Sequence, residues 1–108
     1  MSEGTLVRRI LKALREKYPN NVWYKIHTGP YQERGVPDIL GSHGGYFIAL
    51  EVKLPGKENT VTKYQKYQIK RIRNSGGYAC VVTTVKEARE SVDIFDKLTR
   101  GIFKISDS

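Results

Sequence analysis

Two carboxylates and a lysine stand where phosphate chemistry could be done. Asp38 follows Pro37 at the end of a polar stretch, and Glu51-Val52-Lys53 closes an apolar one. Side chains alternate along a strand, so Glu51 and Lys53 share a face while Val52 points to the other. If the two segments are neighbouring strands of a tight hairpin, Asp38 and Glu51 converge. Burying that charged strand end is costly unless the groups pair or bind a cation. Two carboxylates with a main-chain carbonyl nearby, such as that of Val52, are hard oxygen ligands suited to magnesium. Phosphodiester hydrolysis needs an activated water, stabilisation of the charge that develops on phosphorus, and relief for the leaving oxygen. In this reading Asp38 and Glu51 hold the metal that supplies these, and Lys53 orients or helps deprotonate the water, or neutralises developing charge. Pro-Asp alone is a common turn and Glu-x-Lys alone a common exposed strand; their joint occurrence in the right elements carries the inference.

Those elements can be read from pattern. Glu3 to Lys17 is an amphipathic helix, with Leu6, Val7, Ile10, Leu11 and Leu14 on one side and Arg8, Arg9, Lys12 and Arg15 on the other. Tyr18-Pro19-Asn20-Asn21 stops it. Val22 to Ile26 has strand character, His27 to Pro37 reads as a surface loop, and Asp38 to Gly41 as a short strand. His43-Gly44-Gly45 is a turn before Tyr46 to Lys53, whose apolar run suits a central strand buried on both faces. Thr62 and Gln65 match a capping box opening a helix to about Ser75, which Gly76-Gly77 ends. Tyr78 to Thr83 is a strand, and Thr84 with Glu87 a second capping box before Ala88, Val92 and Phe95. Ile102-Phe103-Lys104-Ile105 suggests a last edge strand. The order helix, three strands, helix, strand, helix gives an α/β fold, a mixed sheet flanked by helices. The strand–helix–strand unit makes its strands parallel, and the turn before Tyr46 makes its flanking strands antiparallel.

Composition narrows the partner. The 108 residues leave room for one domain, and 19 Lys and Arg against 11 Asp and Glu give a formal charge of +8, which favours a polyanion. At 39% hydrophobic residues the chain is a folded domain and not a disordered basic arm. The lone Cys80 excludes a disulfide framework and a cysteine-rich zinc site, and it suits a reducing cytoplasm. No stretch reaches the length of a membrane span, and no signal peptide is evident, so a soluble intracellular protein without a membrane partner is expected.

The densest basic segment is Lys57, Lys63, Lys66, Lys70 and Arg73, offset locally only by Glu58 and interleaved with Tyr64 and Tyr67. It reads as a strip for backbone phosphates. Arg34, whose fork suits phosphate oxygens, and His27 flank the loop that enters Asp38, as do Tyr24, Lys25 and Tyr31. His43 reads as a turn residue, Trp23 as core, and Cys80 as a buried strand residue with no evident activating partner. Gln65 falls on the helical face of Gln68, Ile69 and Ile72, toward the sheet.

Gly35-Val36-Pro37-Asp38, Glu51-Val52-Lys53 and Val61-Thr62 with Gln65 together resemble the PD-(D/E)XK nuclease superfamily, in particular its VRR-NUC branch, the virus-type replication-repair nucleases. The resemblance spans nearly the whole chain, including the Gly76-Gly77 turn and Glu87-Ala88. It implies a restriction-endonuclease-like core and a magnesium-dependent endonuclease, with manganese as substitute. It also implies a role for Gln65 in orienting Lys53, water or phosphate, beside its capping role, and it maps the acidic residue of the family's first helix onto Glu3. Stand-alone members are similar to Holliday junction resolvases and typically work as homodimers on branched or structured DNA, in the cytoplasm or, for a viral protein, in a host cell. The rival reading is a non-catalytic nucleic-acid-binding module on the same fold. Binding alone gains nothing from two carboxylates facing phosphate.

Overall fold

The computed structural model describes residues 1–27 and 33–107, with side chains through Arg100. Its elements run α1 (Glu3–Lys17), β1 (Val22–Lys25), β2 (Ile39–His43), β3 (Tyr46–Val52), α2 (Lys63–Asn74), β4 (Tyr78–Val82) and α3 (Val85–Asp107), with a single 3-10 turn at Glu58–Thr60. The four strands form one sheet in the order β1-β2-β3-β4. β1 and β2 pair antiparallel, as do β2 and β3, whereas β3 and β4 are parallel, with Glu51 opposite Val81. This is the mixed α/β architecture expected from the element order.

Each sheet face is covered by the side chains its period assigns to it. Ile48, Leu50 and Val52 of β3 enter the larger core with Leu6, Ile10 and Leu14 of α1 and Ala88 and Val92 of α3. The intervening Ala49 packs on the opposite face with Ile69 of α2 and Ala79 of β4. β3 is therefore buried on both faces, the physical reason its sequence lacks the alternation of a half-exposed strand. Trp23 is buried in the larger core, as expected.

Both sheet edges are blunted by arginine. Arg15 donates to the Trp23 carbonyl at 2.7 Å on β1, and the Arg73 Nε donates to the Ala79 carbonyl at 2.8 Å on β4. Satisfying edge carbonyls in this way discourages pairing with another chain.

Two expectations are corrected. The segment Ile102 to Ile105 is helical, because α3 runs on to Asp107; Ile94, Leu98 and Ile102 recur every fourth residue, a helical and not a strand period. His43 is not a turn residue but the last residue of β2, with Gly44 and Gly45 (φ +58° and +85°) making the turn alone. Its ring binds Asn21 at 2.5 Å through Nδ1 and Asp96 at 2.7 Å through Nε2, tying α3 to the hairpin. The partners lie 22 and 53 positions away, beyond any local pattern.

Candidate metal and active site

The end of β3 positions the site. Glu51, on the face of the sheet toward α2, is 2% exposed, and its neighbour Val52 turns into the opposite core. Lys53 is buried just beyond the strand, where its backbone N–H still donates to the Val82 carbonyl at 3.0 Å. The Lys53 Nζ lies 3.9 Å from Glu51 Oε1, so the two share one face as the strand period requires. Asp38 stands immediately before β2, and its Oδ2 accepts the Val52 N–H at 2.8 Å. That bond crosses from one strand to the next and brings the Pro-Asp and Glu-x-Lys segments together.

Carboxylate oxygens of Glu3, Asp38 and Glu51 lie within 4.8 Å of one another. Glu3 gets there because α1 opens at that residue, with Ser2 as its cap: the Ser2 Oγ accepts the Thr5 N–H at 3.1 Å. Three carboxylates this close are residues that would hold a divalent cation. The oxygens are of the hard kind that magnesium and manganese prefer. Glu51 Oε2 is buried with no hydrogen-bond partner among the described residues. A buried carboxylate with an unsatisfied oxygen, grouped with two other carboxylates, is a poor arrangement for folding alone and a fitting one for a cation.

The electrostatics follow from that crowding. Burial foremost, and then the Asp38 charge, push the Glu51 carboxyl up to about 8, with Glu3 adding to the effect and Lys53 opposing it. Without a cation, Glu51 therefore holds a proton at neutral pH.

Gln65 does two things with one amide. Its backbone N–H donates to the Thr62 Oγ1 at 3.1 Å and its Oε1 accepts the Thr62 N–H at 2.9 Å, completing the capping box. Its Nε2 points the other way and donates to Glu51 Oε1 at 3.0 Å. The cap thus orients a hydrogen-bond donor onto the site. A second device holds the incoming loop against α2. Gly35 has φ +81°, and a Cβ there would lie 2.3 Å from the Tyr64 carbonyl carbon, so only glycine permits this approach. Gln68, 8% exposed, donates to Glu33 at 3.0 Å and to the Arg34 carbonyl at 3.2 Å, and Arg71 pairs with Glu33 at 3.1 Å. Sequence reasoning missed this Glu33-Gln68-Arg71 clamp. Its one legible signal was a glutamine on the sheet-facing side of α2.

The basic residues divide. Lys66, Lys70 and Arg73 line a recess of about 470 Å³ floored by Val61, Ile69 and Val81. Lys63 and Arg34 lie elsewhere, with Nζ 5.2 Å and guanidinium carbon 5.3 Å from the Tyr64 ring centre. Lys57 is exposed in the turn before the 3-10 segment, and His27 is exposed after β1. Tyr24 is exposed on β1, and Tyr31 lies outside the described residues. Among the described residues, no helix is long and apolar enough to cross a membrane.

No family profile and no curated protein matches the chain. Solved structures do. One described as a VRR_NUC domain protein superposes with a TM-score of 0.71 at 17% identity, over 91% of this chain and 90% of that one. Another, described as a VRR_NUC domain, gives 0.61 at 22% identity, over 84% and 94%. The matches cover most of both partners, and the fold of this chain is that of the VRR_NUC domain.

Proposed function

We propose that this chain is a VRR-NUC-type endonuclease, a single domain that hydrolyses phosphodiester bonds in branched or structured DNA with Mg²⁺, or Mn²⁺ in its place. One observation carries the reading: carboxylate oxygens of three residues converge beside a buried lysine, and the buried member of the three, Glu51, has an oxygen with no hydrogen-bond partner among the described residues. Asp38, Glu51 and Glu3, with the Val52 carbonyl between Glu51 and Lys53, would hold the metal. Bound there, a divalent ion lowers the pKa of a coordinated water and offsets charge on the phosphate.

The chain's own residues do the rest. The Val52 N–H fixes the Asp38 carboxylate, and the Gln65 amide fixes Glu51. Lys53, held by the strand end with its ammonium at the site, donates to the attacking water or to a phosphate oxygen as negative charge builds. Hydrolysis then forms one P–O bond from water and breaks one to a sugar oxygen, which takes a proton. Lys66, Lys70 and Arg73, with Lys57, Lys63 and Arg34, supply positive charge for the backbone of the DNA, and His27 a polar contact beside them. A homodimer would place two such sites on opposite strands.

The test is a cleavage panel of linear, nicked, flapped and four-way DNA with MgCl₂, run with wild type and with folded Asp38→Ala and Lys53→Ala variants, beside light scattering. Cutting of branched DNA by a dimer of the wild type, absent from both variants and from EDTA, is the expected result. Near-normal cutting by either variant would overturn the mechanism. Folded protein that binds all these DNAs and cuts none would favour the non-catalytic module.

A further inference from the structure

We propose that Tyr64 and Tyr67 form a stacking platform for unpaired bases, so that a single-stranded segment of the DNA leads into the carboxylate site; this rests on the nuclease reading above. The two rings are 41% and 58% exposed although both stand on the helix that covers the sheet. They sit three positions apart on α2, hence on one stripe, at a spacing of about 5–6 Å between Cβ atoms. Arg34, Glu33, Gln68 and Arg71 complete the walls of a shallow recess of about 290 Å³ around the two rings.

The charges in this recess suit a base flanked by phosphates better than a phosphate itself. Arg71, 5.8 Å from the Tyr67 ring centre, is already paired with Glu33 at 3.1 Å. A carboxylate at that point repels a phosphate but accepts hydrogen bonds from base amino groups. To the other side the Arg34 guanidinium and the Lys63 ammonium, neither in an ion pair among the described residues, stand near the Tyr64 ring, and Arg34 also donates to the Tyr64 hydroxyl at 3.5 Å. An aromatic face beside arginine and lysine is the arrangement on which single-stranded bases stack, since every base has a π-face and a duplex hides it. The recess is also next to the chemistry. Tyr64 precedes Gln65, whose amide touches Glu51, and Gly35 packs on the Tyr64 backbone three residues before Asp38. The recess with Lys66, Lys70 and Arg73 on its rim is a separate surface and has no tyrosine in its lining.

The experiment is fluorescence anisotropy in EDTA at low salt, where nothing is cut, with a labelled single strand, its duplex, and the same strand carrying abasic positions. A Tyr64→Ala/Tyr67→Ala variant should lose at least about tenfold in affinity for the single strand and less than about threefold for the duplex. Tyr64→Phe/Tyr67→Phe should bind as wild type does, because the ring face and not the hydroxyl does the work. Abasic positions should weaken wild type and leave the alanine variant unchanged. Equal losses on single strand and duplex, or wild type binding the abasic strand as tightly as the intact one, would overturn the platform. Should the alanine variant fail to fold, the abasic comparison on wild type still decides. The two readings fail separately: a protein that cuts DNA but shows no tyrosine or abasic effect loses only the platform, and one that shows both effects but never cuts loses only the nuclease.

Discussion

Glu51→Gln should make the metal-free protein more stable while removing its activity. In the folded state Glu51 titrates near 8, against an ordinary value of 4.5. A carboxyl whose folded pKa is raised contributes its full stability below pH 4.5, where it is protonated folded and unfolded alike, and loses it as pH rises through about 8. At pH 7 the unfolded chain releases that proton almost completely and the folded chain holds it, which costs folding about 3 kcal/mol, approaching about 5 above pH 9. Glutamine carries no charge at any pH and is free of this cost. Its amide oxygen can still accept from Gln65, so that hydrogen bond survives. Urea unfolding at fixed temperature in EDTA reads the difference directly. With a slope of about 1–3 kcal/mol per molar for a domain of this size, the variant's midpoint at pH 7 should stand about 1–3 M above wild type. The gap should shrink to near nothing by pH 4.5. MgCl₂ should narrow it from the other side by stabilising wild type alone. A variant no more stable than wild type at pH 7, or a gap that persists at pH 4.5, would refute the account of Glu51 as a carboxyl held under electrostatic load.

Other expectations address the frame around the site. Lys66→Ala/Lys70→Ala should weaken binding on all DNA sequences and lower the slope of log affinity against log salt by about 2, since each phosphate contact releases roughly 0.9 counterion; an unchanged slope would place the backbone elsewhere. Arg73 is better left out of that variant, because its bond to the Ala79 carbonyl also supports the edge of the sheet. Gly35→Ala meets both a positive φ and a Cβ contact of 2.3 Å, and should lower stability by about 1–3 kcal/mol and cut cleavage more than binding, as the loop bearing Asp38 moves off α2. Wild-type stability and a full cleavage rate in that variant would show that the close approach is not required.

Much of the fold was legible because it rests on local rules. The five apolar residues of α1 at helical spacing are the five it buries, and Thr62 with Gln65 forms the capping box their spacing predicts. The unbroken run into Glu51 reported a strand buried on both faces from Ile48 onward, and the charged end of that run reported a place where burial needed a reason. Three hydrogen bonds across sequence were not legible. The Val52 N–H on Asp38, the Gln65 amide on Glu51 and the Gln68 amide on Glu33 join residues 14, 14 and 35 positions apart. Nor could periodicity place His43 between Asn21 and Asp96; the run of α3 through Ile102 to Asp107 was legible in the four-residue recurrence of Ile94, Leu98 and Ile102, and the β-branched look of Ile102 to Ile105 masked it. Residue type and period fix which face of an element is apolar, since that depends on neighbours within a turn or two along the chain. Which polar atoms meet across elements depends on how the elements pack. The load on Glu51 exists only there, because burial and the nearness of Asp38 and Glu3 raise its pKa, and an isolated strand would have neither.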